Sequence, residues 1–224
     1  MRGPPYSDRR DAGQILATEL GRRKTKPTTL VLGLPRGGVP VAAEVAKALK
    51  APLDIVVVRK LGFPGHPELA MGALAAAGGT MKLVQNPDVI ANLDRVEHGH
   101  DLYRDILTLE ERELDRRERE YRAGRTPMAI PGRDVIIVDD GLATGASMRA
   151  AVAVLVPLAP ERITIAVPVG STHAVQELDE LVDEVICPWQ PADFRAVGNA
   201  YRIFDQTEDA EVRSLLAEAP EARQ

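Results

Sequence analysis

Residues 135–147 read Val135-Ile136-Ile137-Val138-Asp139-Asp140-Gly141-Leu142-Ala143-Thr144-Gly145-Ala146-Ser147, and the fold is decided there. Four β-branched residues in a row suit a strand buried on both faces, as in a parallel sheet. Two carboxylates stand at its carboxyl end, followed by a glycine-containing loop and the start of a helix. In open α/β sheets, ligands bind at the carboxyl ends of strands. The first helical turn offers unpaired backbone N–H groups and a partial positive charge, which suit a phosphate. Gly145 permits close backbone approach, and the hydroxyls of Thr144 and Ser147 can donate to anionic oxygens. Asp139 and Asp140 would repel that anion. Ionised carboxylates only accept hydrogen bonds, so vicinal sugar hydroxyls of the same ligand are their natural partners.

Outward from this stretch, short β-branched runs alternate with Ala/Leu-rich segments, the pattern of βαβ units. Strands are expected at 28–34, 53–58, 134–138, 162–167 and 184–186, with helices at 39–50, 146–158 and 172–181. Residues 71–77 and 81–85 suit a hairpin around Gly78-Gly79. The stretch 59–69 holds two Gly and two Pro and reads as a flexible loop. Residues 88–122 read as one long charged helix. Glu113–Arg117, Asp115–Arg119 and Glu118–Arg122 are acid-before-base pairs four apart, the spacing of a solvated helix face. Residues 187–205 are irregular and residues 206–224 form a polar tail, helical from 208. The expectation is one α/β domain over 1–224: an open, mostly parallel twisted sheet flanked by helices, with a core over about 28–186, a small hood over about 187–205 and a flexible loop.

Composition narrows the function. The chain has 224 residues and a formal net charge of −5, without a basic footprint for nucleic acid. Hydrophobic residues are 45% and aromatic residues 4%, so Val, Ile, Leu and Ala must build the core. A single cysteine, Cys187, leaves no partner for an internal disulfide and fits a reducing cytoplasm. Residues 1–10 are too polar for a signal peptide, and no apolar run approaches the ~20 residues of a membrane span. The GxGxxG and GxxxxGK[ST] fingerprints are missing, which disfavours NAD enzymes and P-loop kinases.

Residues 135–147 resemble the thirteen-residue signature of type I phosphoribosyltransferases: an apolar strand, an acidic pair, two spacers, then [AT]-T-G-x-[ST]. The whole pattern is most similar to bacterial phosphoribosyltransferase-like proteins, over roughly residues 28–205. The resemblance implies that Ala143, Thr144, Gly145, Ala146 and Ser147 hold the 5-phosphate of phosphoribosyl pyrophosphate. Asp139 and Asp140 would take the ribose hydroxyls and are possible ligands of Mg²⁺, the implied cofactor. Arg36, Gly37 and Gly38, in a second strand-to-helix turn (Leu34-Pro35-Arg36-Gly37-Gly38-Val39-Pro40), correspond to the pyrophosphate turn, which in the family often has a strained or cis peptide. Arg59-Lys60 resemble the pair that opens the mobile catalytic loop of adenine and orotate enzymes. His66 and Glu68 in that loop are further candidates for catalysis. Trp189 and Phe194 are candidates to stack on the acceptor, and Asp205 resembles a hood carboxylate that contacts the base in some purine enzymes.

The implied reaction displaces pyrophosphate from C1 of phosphoribosyl pyrophosphate by a nitrogenous base. Positive charge builds on the ribose ring, and Arg36, Arg59 and Lys60 meet the leaving charge. Ala143 departs from the hypoxanthine-guanine enzymes, which carry an Asp there to handle the purine proton. The acceptor, a nucleobase-like molecule, stays open, and any acid or base must come from elsewhere. The resemblance also implies a homodimer. The alternative reading is a regulatory protein on the same fold that senses phosphoribosyl pyrophosphate or nucleotides without turnover.

Overall fold

The structure, a computed structural model, describes residues 5–22 and 26–219. The chain runs α1 (Arg9–Gly21), β1 (Thr29–Gly33), α2 (Gly38–Leu49), β2 (Leu53–Ile55), β3 (Val57–Phe63), β4 (His66–Ala77), β5 (Thr80–Gln85), α3 (Pro87–Ile90) and α4 (Gly99–Arg122). It continues with β6 (Asp134–Val138), α5 (Ala146–Leu155), β7 (Arg162–Ala166), α6 (Thr172–Asp179), β8 (Glu184–Ile186) and α7 (Asp209–Glu218). Single 3₁₀ turns lie at Ala91–Arg95, Val156–Leu158 and Val197–Ala200.

Five strands form one sheet in the order β2-β1-β6-β7-β8, every pairing parallel. β6 lies at its centre, and Val135, Ile137 and Val138 are inaccessible to solvent, as the β-branched run requires. In register, Gly33 lies beside Val138 and Val138 beside Ala166. The carboxyl ends of β1, β6 and β7 therefore form one edge, and the turns that follow them emerge side by side.

The second sheet is antiparallel, in the order β3-β4-β5. β4 and β5 are the expected hairpin, with Gly78 and Gly79 at φ +56° and +79°. Its central strand β4 is buried on both faces, whereas the edge strand β5 is largely exposed. Leu74 and Ala76 join Leu114 and Tyr121 of α4, whereas Ala75 and Ala77 join Met148 and Ala151 of α5.

Three expectations are corrected. The stretch 59–69 is not a loop: Arg59 pairs with Leu74 and Lys60 with Ala73, and the chain reverses at Pro64-Gly65. Its Gly62 is there for packing, since a Cβ would sit 2.9 Å from Pro67 Cα. Residues 88–122 do not form one helix. The chain breaks before Gly99, where a Cβ would lie 2.3 Å from the Leu93 carbonyl, and α4 starts after His98 at φ +55°. All three expected acid–base pairs on α4 form, at 2.7, 2.9 and 3.2 Å.

The third correction concerns the ends. α1 was not expected. Asp8 caps it by accepting from the Asp11 amide, and Ala12, Leu16, Ala17 and Leu20 are buried along one face. Gly13 lets it close on α2, where a Cβ would meet the Val41 carbonyl at 2.8 Å. In the polar tail, Val212 and Leu216 of α7 are buried in the same core cluster as α1 and α2. Among the described residues, no helix is long and apolar enough to cross a membrane.

Candidate active site

The site is assembled by the turns that leave β1 and β6. Leu34 N–H donates to the Val138 carbonyl at 2.9 Å, which zips the two strand ends together. The Pro35–Arg36 peptide that follows is cis, as the resemblance to the pyrophosphate turn anticipated. Gly37 and Gly38 then pass directly over the acid pair. A Cβ on Gly37 would lie 2.1 Å from Asp140 Oδ2, and one on Gly38 would lie 2.8 Å from Asp139 Cα. Only glycine fits at either position, so two segments a hundred residues apart in sequence become one surface.

Neither acid is fully open to solvent. Asp139 Oδ1 accepts from the Asp140 amide at 2.8 Å. Burial, and next the adjacent Asp140, push the Asp139 carboxyl well above the ordinary carboxylate range. Burial also raises Asp140, but Arg9 opposes the shift by donating Nε–H to Asp140 Oδ2 at 2.8 Å. The hydroxyl of Tyr201 donates to the Asp140 carbonyl at 2.5 Å. Two carboxylates held together at a strand tip with one nearby guanidinium are the kind of perturbed groups by which a candidate site is recognised.

Beyond the acids, Gly145 adopts φ +70° and caps α5. Ala143, Thr144, Ala146 and Ser147 are exposed around it, so the cup is not plugged by neighbouring side chains. The Ala143 carbonyl is held by Ser171 Oγ at 2.9 Å, which fixes the rim of the loop. The Ala146 amide at the start of α5 donates to Thr144 Oγ1 at a long 3.5 Å, and a helix N-terminus of this kind can receive an anion.

The other expected residues are placed less centrally. Arg36 is half-buried, and its Nη1 lies 3.6 Å from Asp209 of α7. Arg59 Nε donates to Glu110 of α4 at 2.6 Å. Lys60 and His66 are exposed on β3 and β4, and the side chain of Glu68 lies outside the described residues. Trp189 meets Tyr6 edge to face at 6.3 Å, and Trp189 and Phe194 both pack on a cluster around Tyr6, Val169 and Tyr201. Asp205 contributes its backbone carbonyl, which accepts from Arg9 Nη1 at 2.6 Å.

Two residues that sequence reasoning did not select stand close to the acids. Arg9 reaches them from α1. Phe204 stacks on Tyr201 at 5.0 Å with its other side under the Arg9 guanidinium, and remains 38% exposed. The only signal for Arg9 was an arginine at the start of an unrecognised helix. Phe204 was one of several aromatics in an irregular segment. Cys187 donates Sγ–H to the Trp189 carbonyl, and burial pushes its thiol up to about 12, so it is not a nucleophile here. No group of three or more His, Cys, Asp or Glu among the described residues forms a metal cage.

The fold is that of an α/β protein whose candidate site lies at the carboxyl ends of a parallel sheet. A model of the phosphoribosyl transferase domain matches residues 11–199, and the chain belongs to that family. Two Mycobacterium tuberculosis proteins (strains CDC 1551 and H37Rv), each named "Putative phosphoribosyl transferase", are 44% identical over 221 residues, 96% of this chain. The match covers 47% of each, so the chain spans about half the length of these curated relatives. A crystal structure of the protein TT1426 from Thermus thermophilus is 41% identical, with a TM-score of 0.81 over 99% of this chain and 100% of that one.

Proposed function

We propose that this chain transfers the 5-phosphoribosyl group from phosphoribosyl pyrophosphate to a nitrogenous base, releasing pyrophosphate with Mg²⁺. The observation that carries this reading is the contact of Gly37 and Gly38 with Asp140 and Asp139, beside an open amide cup at residues 143–147. A ligand bridging these parts needs an anion at one end, hydroxyls in the middle and a second anion at the other end. A pentose with a 5-phosphate and a 1-pyrophosphate has that order of groups.

In this reading Thr144 to Ser147 bind the 5-phosphate, and Asp139 and Asp140 orient the ribose by its hydroxyls. The turn at Arg36 to Gly38 holds the pyrophosphate, and Arg36, Arg59 and Lys60 offset the charge on the leaving oxygens. Two carboxylates without a third donor suit a Mg²⁺ that takes most of its ligands from substrate and water. The ion would neutralise pyrophosphate charge, with Asp139 and Asp140 as its protein contacts. Trp189 and Phe194 are the platform for the base in this reading, since both faces of Phe204 are taken by Tyr201 and Arg9. A nucleobase-like acceptor, a homodimer and a reducing cytoplasm belong to the same reading, and the net charge of −5 argues against a nucleic-acid partner.

The test is a pyrophosphate-release screen with Mg²⁺ across adenine, guanine, hypoxanthine, xanthine, uracil and orotate. Release that depends on one base is expected. Binding of phosphoribosyl pyrophosphate without turnover in a broadened panel would instead establish the sensing alternative. Absence of any ligand-induced rise in thermal stability at millimolar concentration would end both.

A further inference from the structure

Arg9 lies outside every motif that identified the site, yet its side chain makes three dissimilar contacts at once. Nε donates to Asp140 Oδ2 at 2.8 Å, Nη1 donates to the Asp205 carbonyl at 2.6 Å, and the guanidinium carbon lies 4.0 Å from the centre of the Phe204 ring. Its side chain is only 13% exposed. A surface ion pair leaves a long side chain mobile and contributes little, whereas this one is fixed along its length. The base of the arginine is fixed as well, because the Asp8 cap and the Gly13 contact with α2 seat the start of α1.

The consequence falls on Asp140. Its Oδ2 sits between the Arg9 Nε–H and the Gly37 backbone, where there is no space for a Cβ. One carboxylate oxygen is thus committed, and rotation about the side chain is blocked from two sides. The other oxygen is left to accept from a ligand in a defined direction. Asp139 feels the Arg9 charge, and its Oδ1 accepts from the Asp140 amide.

The geometry points to Arg9 as a positioning residue for the ribose diol, setting discrimination between ribose and 2-deoxyribose ligands by aiming the Asp140 carboxylate. This rests on the phosphoribosyl reading above. Arg9 does not touch the ligand; it acts through Asp140 and ties that aim to the hood through Asp205 and Phe204. An arginine that merely stapled α1 to the hood would, when lost, weaken every ligand alike.

The experiment titrates ribose 5-phosphate, 2-deoxyribose 5-phosphate and inorganic pyrophosphate into the full chain by calorimetry. Wild type, Arg9→Gln, Arg9→Lys and the neighbouring Arg10→Gln are compared, each first checked for cooperative thermal unfolding. Wild type is expected to prefer ribose 5-phosphate by roughly tenfold, the value of one charge-assisted hydrogen bond. Arg9→Gln is expected to bring the two sugars near parity while pyrophosphate affinity holds within about twofold. Arg9→Lys should fall between, since an ammonium can pair with Asp140 but cannot make the planar three-way contact. Arg10→Gln should match wild type. An unchanged sugar ratio in Arg9→Gln, equal weakening of all three ligands, or a wild type indifferent to the 2-hydroxyl would each overturn the assignment. Should Arg9→Gln fail to unfold cooperatively, the ratio in Arg9→Lys decides, and no change there rejects it. A wild type that binds none of the three ligands would count against the phosphoribosyl reading itself.

Discussion

Two sets of buried carboxylate occupy the same parallel sheet under opposite conditions. Asp54 on the edge strand β2 accepts from Arg122 Nη1 at 2.5 Å, from the Met128 amide at 2.8 Å and from its neighbour's amide at 2.8 Å. Asp139 and Asp140 at the tip of the central strand have each other and one arginine. Asp54 is satisfied by the protein and needs nothing else, although the arrangement leaves Arg122 Nη2 without a hydrogen-bond partner. The acid pair remains under-compensated, with burial and mutual repulsion both disfavouring its charged form. The difference teaches that burial of charge alone does not mark a site. A carboxylate whose bonds are closed by the chain is architecture, and a pair left short of donors is a candidate for a ligand that supplies them.

The comparison can be broken most forcefully at the structural end. Arg122→Ala should lower stability by about 3–5 kcal/mol, because it strands a buried Asp54, and should leave the affinity for phosphoribosyl pyrophosphate unchanged. Chemical denaturation and calorimetry read the two quantities separately. A fall in affinity without loss of stability would erase the distinction. At the functional end, Asp139→Asn combined with Asp140→Asn should cost roughly a hundredfold in affinity through two lost charge-assisted bonds, while the unfolding temperature holds or rises as repulsion disappears. Retained affinity in a folded double variant would remove the ribose assignment.

A pH series sharpens the contrast. The raised carboxyls of Asp139 and Asp140 keep their protons in the folded state after the unfolded chain has released them. The folded state therefore binds more protons above the ordinary carboxylate range, and stability falls as pH rises through that window. The difference in stability between wild type and the double asparagine variant should slope downward with pH there. A flat or rising difference would contradict the assignment of direction. Glu113 on α4 has the opposite sign. Hydrogen bonds from Arg116 and Arg117 lower its carboxyl to about 2, so its contribution is present at neutral pH and is lost as pH falls towards that value.

The smallest effect is expected on the outer face of α4. Asp115 and Arg119 pair at 2.9 Å with side chains 64% and 75% exposed. Asp115→Asn should change stability by no more than about 0.5 kcal/mol and ligand binding not at all. A larger change in denaturation midpoint would mean that this helix face is covered by something else.

Much of this was legible in the chain. The β-branched run at 135–138, the acids after it and Gly145 predicted strand, edge and cup, and β6 and β8 fall where the residues placed them. Local chemistry sufficed because each feature is decided within a few residues. The reading failed where local signals compete with distant partners. Gly62, Pro64 and Gly65 read as a loop, yet β4 supplies the pairing that holds β3 in an extended ladder. The tail read as polar, yet Val212 and Leu216 are buried among α1 and α2. Arg9 was invisible as a site residue because its partner is 131 residues away.

By itself the sequence determined the parallel α/β class, the strand whose tip carries the acid pair, and the turn chemistry on either side, since propensity and glycine geometry act locally. Only the tertiary structure decided which charges are left uncompensated. That depends on which guanidinium or amide arrives from elsewhere: Arg122 closes Asp54, Arg9 takes one oxygen of Asp140, Glu110 takes Arg59 and Asp209 lies beside Arg36. The electrostatics of a buried group is set by its neighbours in space, and spacing along the chain does not encode them.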